Sequence, residues 1–180
     1  DVAHMKSEIG LLFYNDFNRP VLEKLIHTNE LTFTELFTAH PHIFIGKNHP
    51  LANKDVVSMD ELEKYPYISF EQGDHNSFYF SEEIFSTVVR PKHIRVRDRA
   101  SLFSLLLGLD GYTVSSGVID EEVNGENIIS VPLAEEGLMH IGYITNNKMH
   151  RSRLGQEYIQ ALEQYVGNYG RHIKLPKTKE

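Results

Sequence analysis

The stretch RVRDRASLFSLLLGLDGYTVSSGV, residues 95–118, decides the fold. It reads as a strand end, a charged turn, a helix, a glycine exit and a second strand. Asp98 is the expected N-cap, because a carboxylate there accepts the N–H groups that a first helical turn leaves unpaired. From Leu102 to Leu109 the run carries Leu102, Phe103, Leu105, Leu106, Leu107 and Leu109, interrupted only by Ser104 and Gly108. A helix apolar on nearly every side is expected to be buried. Asp110-Gly111 ends it, with Gly111 the expected left-handed residue. Tyr112, Thr113 and Val114 then favour a strand. A helix start in such a unit carries partial positive charge, and open α/β sheets place ligands at these strand ends. Arg97, Arg99 and Ser101 stand there; the same residues also suit an ordinary β-α-β unit with a solvated Arg-Asp-Arg turn.

Working outward, residues 8–14 (EIGLLFY) form an unalternating apolar run, expected as a strand buried on both faces of a parallel sheet. Residues 21–27 have helical spacing. In residues 31–37, Leu31, Phe33, Glu35 and Phe37 are expected on one face of a strand. HIFIG (residues 42–46), YISF (67–70), residues 93–96, IISVPL (128–133) and MHIGYI (139–144) are further strands. Ser58 with Glu61 is a capping box opening a short helix. Helices are expected at residues 78–89, 119–123 and 152–166, the last with Leu154, Tyr158, Ile159, Leu162, Tyr165 and Val166 inward. Strands alternating with helices indicate an α/β architecture.

The 180 residues suit one domain or two small lobes, and 41% hydrophobic content can fill a core. No apolar run approaches a membrane span. With no cysteine there are no disulfides, thiolate ligands or cysteine nucleophiles, in keeping with a reducing compartment. A net charge of -7 argues against a surface that grips nucleic acid by itself.

Catalytic patterns fail on inspection. A nucleophile elbow needs glycine two residues to either side of its serine. Ser115 has Thr113 and Gly117 there, and Ser116 has Val114 and Val118. There is no phosphate loop. His40 and His42 would share a strand face as a metal pair does, but no third ligand accompanies them, so no metal and no cofactor are expected. The adjacent pairs Glu82-Glu83, Glu121-Glu122 and Glu135-Glu136 read as solvated edges.

Three segments in order carry a resemblance. They are residues 36–70 (LFTAHPHIFIGKNHPLANKDVVSMDELEKYPYISF), the central stretch, and residues 130–166 (SVPLAEEGLMHIGYITNNKMHRSRLGQEYIQALEQYV). Together they resemble the effector-binding domain of LysR-type transcriptional regulators, with His49-Pro50-Leu51-Ala52 as its turn, Ser58 to Leu62 as its capped helix and Pro66-Tyr67-Ile68 as its short strand. Two positions depart from the family pattern: Leu109 replaces a glycine and Ser115-Ser116 a proline.

The resemblance implies an α/β, two-lobe, periplasmic-binding-protein-like (type 2) fold, each lobe a mixed sheet flanked by helices. Lobe I would hold residues 1–47 and 132–180, lacking an N-terminal strand-helix-strand, and lobe II residues 48–131. A small effector, anionic or amino-acid-like, would lie between the lobes and meet Tyr14, Asn15, Phe70, Glu71, Gln72, Gly73, Ser77, Arg99, Ala100, Ser101, Thr113 and Ser115. DNA would be bound only through a winged helix-turn-helix outside this chain, in a cytoplasmic homodimer or homotetramer paired partly through residues 78–89. The resemblance implies a sensor and not an enzyme. A two-lobe enzyme or a solute-binding protein of the same fold is the alternative.

Overall fold

The computed structural model describes residues 1–71, 77–120 and 125–169. In chain order β1 (Ile9–Tyr14), α1 (Arg19–Thr28), β2 (Leu31–Ala39) and β3 (His42–Gly46) come first. Next are α2 (Met59–Leu62), β4 (Tyr67–Phe70), a 3-10 turn (Phe78–Phe80) and β5 (His93–Val96). Then follow α3 (Arg99–Gly108), β6 (Thr113–Ser115), β7 (Ile128–Pro132), β8 (Met139–Asn146) and α4 (Arg153–Tyr169). The chain forms two compact units, one of Asp1–Ala39 with the described part of Leu138–Ile173, the other of His40–Gly137.

The first unit is built on an antiparallel sheet, β1-β8-β2. This corrects the reading of residues 8–14 as a parallel strand buried on both faces. β1 pairs with β8 alone among the described strands, and Leu11 is 55% exposed. β2 carries a bulge between Glu35 and Phe37. An extra residue in one strand reverses the faces beyond it, so Phe37 leaves the side that carries Phe33 and Glu35, and the simple alternation of residues 31–37 does not hold. Glu35 instead accepts a hydrogen bond from His140 Nδ1 at 2.8 Å. On α4 the covered side is Ile159, Leu162 and Val166, spaced 3 and 4 apart. Leu154, Tyr158 and Tyr165, expected inward, are exposed.

The second unit holds an antiparallel sheet, β6-β3-β7, and a parallel pair, β4 and β5. β3 is buried along its whole length, as the central strand of its sheet. Phe44, Ile68, Val96, Leu102, Leu106 and Ile128 make the core. α3 buries only Leu102 and Leu106, one turn apart, while Leu107 and Leu109 are each 48% exposed. The leucine run is therefore one-sided, and burial on nearly every side does not hold.

The ends of α3 are made by side chain and backbone together. Asp98 accepts Ser101 N–H on Oδ1 and Ser101 Oγ–H on Oδ2, both at 2.8 Å. Asp98→Ala is expected to lower stability through the loss of this N-cap, read as a fall in the urea midpoint. At the other end Gly111 N–H donates to Leu106 O at 3.2 Å, and the left-handed residue is Asp110, φ 48°, not Gly111. Gly111 is required for a different reason: a Cβ there would sit 2.6 Å from Ile68 Cδ1 and 3.2 Å from Pro66 O.

Asp110 O also ties α3 to the turn after β3. His49 Nδ1 accepts Leu51 N–H at 3.1 Å, so the proton is on Nε2, which donates to Asp110 O at 3.0 Å. Burial holds the His49 imidazole below its usual pKa. The capping box is present at Ser58, whose N–H donates to Glu61 Oε2 at 3.2 Å.

Residues 78–89, expected as a helix, contain only the 3-10 turn at Phe78–Phe80, and Phe85 adopts φ 62°. Aromatic and β-branched residues at Phe78, Tyr79, Phe80, Val88 and Val89 remain exposed instead of lining a helix face. Of the helix expected at residues 119–123, Ile119 and Asp120 are not helical and residues 121–123 lie outside the described residues.

Candidate functional site

The parallel pair β4 and β5 ends beside the first turn of α3. Phe70 is opposite Val96, and Arg99 opens the helix three residues later. Carboxyl ends of strands facing a helix start are the usual ligand positions of open α/β sheets. A cavity of about 230 Å³ lies here, within the second unit. Phe44, Phe70, Leu102, Phe103 and Val114 give it apolar walls, and Glu82, Glu83, Arg99, Thr113 and Ser115 give it polar groups.

Of the residues expected at a site, Phe70, Arg99, Thr113 and Ser115 are brought together in this cavity. Thr113 is buried opposite Phe44 in the β3–β6 ladder, and Arg99 holds its guanidinium 5.1 Å from the Phe103 ring centre. Glu71 is in an ion pair with Arg97. Ala100 and Ser101 are exposed on the first turn of α3, with Ser101 committed to Asp98. Ser77 Oγ accepts Tyr79 N–H at the 3-10 turn. Gln72 and Gly73 lie outside the described residues.

Tyr14 and Asn15 belong to the first unit. Tyr14 is buried, its ring 4.3 Å from that of Phe33. Asn15 and Asn18 exchange hydrogen bonds, each N–H donating to the other's Oδ1 at 2.8 and 2.9 Å.

Sequence reasoning missed Glu82 and Glu83, read as a solvated pair on a helix. The irregular backbone separates them. Glu82 is exposed, whereas Glu83 is 5% exposed and accepts Phe70 N–H on Oε1 at 2.8 Å. Burial dominates its titration and, with the charge of Glu82, raises its pKa to about 7; the Phe70 hydrogen bond and Arg90 oppose this. Glu135, likewise read as solvated, accepts Met59 N–H at 2.7 Å where α2 begins. Glu121 and Glu122 lie outside the described residues. No sequence signal marked Glu83, because only the fold turns one carboxylate of the pair inward.

Asp98 also changes the expected electrostatics. Its carboxylate occupies the α3 start that was expected to receive an anion. The remaining cation on the cavity wall is Arg99, and no salt bridge joins it to Glu82 or Glu83 among the described residues. Among the described residues, no group of three or more His, Asp or Glu could hold a metal. His42 is buried, with Nδ1 2.8 Å from His40 O.

The LysR substrate binding domain, as a family model, matches residues 19–167. The chain belongs to this family. Its fold is the type 2 periplasmic-binding-protein-like α/β fold of LysR substrate binding domains. Among solved structures, the effector binding domain of QuiR in complex with shikimate has a TM-score of 0.59 and 16% identity, over 94% of this chain and 76% of that one. The BenM effector binding domain with its effector benzoate gives 0.56 and 16%, over 99% and 78%. HinK, a LysR family transcriptional regulator from Pseudomonas aeruginosa, gives 0.58 and 14%, over 93% of this chain but 55% of HinK. At these identities the likeness is one of fold. No curated protein matches the chain. Among the described residues no helix is long and apolar enough to cross a membrane.

Proposed function

We propose that this chain is the effector-sensing domain of a LysR-type transcriptional regulator, and that its effector is a small solute bound in the cavity of the second unit. The family membership carries the first part. The second rests on Phe70, Arg99, Thr113 and Ser115 meeting at one apolar-walled cavity beside the start of α3. At about 230 Å³ the cavity is smaller than the roughly 300–1,000 Å³ of drug-sized ligand sites, a size that suits a small metabolite.

Sensing of this kind is binding, not turnover. The ligand favours one conformation over another by its difference in affinity for the two, and the bias reaches DNA through a winged helix-turn-helix carried elsewhere in the full protein. The regulator acts in the cytoplasm as a homodimer or homotetramer. The exposed apolar residues Phe78, Phe80, Val88 and Val89 support self-association, since apolar patches of this kind mark interaction surfaces.

The test is calorimetry and thermal shift on the 180-residue chain with a metabolite panel that includes shikimate and benzoate. At least one solute should bind and be recovered unchanged. Arg99→Ala should weaken that solute at least about tenfold, the loss of one charge-assisted contact. The melting temperature should stay the same, because the Arg99 side chain is exposed. Turnover of the solute, or no binding across the panel, would overturn the reading.

A further inference from the structure

The cavity holds opposite charges on its wall without joining them. Glu82 and Glu83 come from the segment after the 3-10 turn, and Arg99 from the start of α3. A pocket built for a simple anion would show cationic and hydroxyl donors. This one has Arg99, Thr113 and Ser115 as donors, but also a carboxyl that is 5% exposed and a second carboxyl beside it. Burying a carboxyl opposes folding unless something compensates it, and Phe70 N–H is the hydrogen bond it has from β4. An ionised carboxylate offers about four acceptor sites, so acceptor capacity remains for a ligand. The apolar lining residues Phe44, Leu102 and Phe103 suit a short apolar body.

We propose that the effector is an amino acid or closely similar aminated acid, its ammonium held by Glu83 and Glu82 and its carboxylate by Arg99, Thr113 and Ser115. This rests on the effector-sensing reading and narrows it to one class of solute. A simple carboxylate meets Arg99 but leaves the two glutamates of the lining unmatched. A simple amine meets the glutamates but leaves Arg99 unmatched. Only a ligand carrying both groups satisfies both sides of the cavity.

Proton release gives a second signature. An ammonium beside Glu83 favours its ionised form against the burial that now disfavours it. The charged and titratable groups about Glu83 are Glu82 and Arg90 from its own segment, Tyr67 from β4 and Arg99 from α3. Binding an amino acid below pH 7 should therefore expel a proton.

The experiment is calorimetry on the 180-residue chain with the twenty protein amino acids, their des-amino acids and their decarboxylated amines, with benzoate and shikimate alongside. At least one amino acid should bind at least about tenfold tighter than its des-amino and decarboxylated counterparts. Glu83→Gln should remove most of that preference while leaving des-amino binding within about twofold. In buffers of different ionisation enthalpy at pH 6, the wild type should release protons on binding and Glu83→Gln should not. If every amino acid binds no tighter than its des-amino counterpart while acids such as benzoate bind, the solute class is wrong and the sensor reading stands. If no solute in any set binds, both fall.

Discussion

Gly142→Ala is expected to cost the first unit at least about 3 kcal/mol of stability, beyond the ~1–3 kcal/mol typical of an added core methylene. Gly142 lies on β8, the central strand of its sheet, opposite Leu12 on β1 and Glu35 on β2. A Cβ there would stand 2.2 Å from Thr34 O and 2.6 Å from Phe33 Cζ. The first obstacle is backbone, so no rotamer change relieves it. The second is a ring already packed against Tyr14 at 4.3 Å. Relief requires β2 to move away from β8 beside its bulge, which breaks ladder hydrogen bonds on a strand paired on both sides. Gly108→Ala is the matching control. Its Cβ meets nothing within 4 Å, and it ends α3 with ordinary helical backbone. There the exchange should stabilise, by up to about 1 kcal/mol. Urea denaturation of both variants gives the comparison, and a Gly142→Ala midpoint close to that of the wild type would mean that Phe33 and Thr34 do not approach β8 as described.

Neither glycine announces its role in the sequence. MHIGYI reads as a strand with a glycine in it, and nothing local says that a partner carbonyl approaches Gly142. The same limit separates what was legible from what was not. Asp98 and Ser58 could be read as caps because a cap bonds residues two or three positions on. The order of the strands, and with it the family, followed from segment patterns spread over the chain. The faces of β2 were not legible, because the bulge between Glu35 and Phe37 answers to pairing with β8 and not to the residues of β2. α3 was misjudged for a related reason: composition counts leucines, while burial depends on which side the β3 and β4 strands cover. Part of the cavity was legible. Phe70, Arg99, Thr113 and Ser115 lie at strand ends and a helix start, places that sequence marks. Glu82 and Glu83 come from a segment with little regular structure, where no periodicity says which carboxyl turns inward.

Glu83→Gln should separate the two sides of this account, because its effect on stability depends on pH. In the folded chain the Glu83 carboxyl is raised to about 7 from an ordinary value of 4.5. Between those values the unfolded chain has lost the proton and the folded chain keeps it, so stability falls as pH rises from about 4.5 to about 7 and levels off above. The total is about 3 kcal/mol, at roughly 1.36 kcal/mol for each unit of difference. Glutamine has no proton to lose, and its Oε1 can still accept Phe70 N–H. The variant should therefore gain on the wild type by about 3 kcal/mol between pH 4.5 and pH 8, read from urea midpoints at both. His49 acts in the opposite direction, since burial lowers its pKa and the fold weakens as acid protonates the unfolded chain. It is present in both proteins, so it cancels in the difference between them. An equal gap at the two pH values would show that Glu83 is solvated in the folded chain. A gap that widens with pH in the free protein, and closes when an amino acid saturates the cavity, would mean that the ligand's ammonium supplies the compensation this carboxylate otherwise lacks.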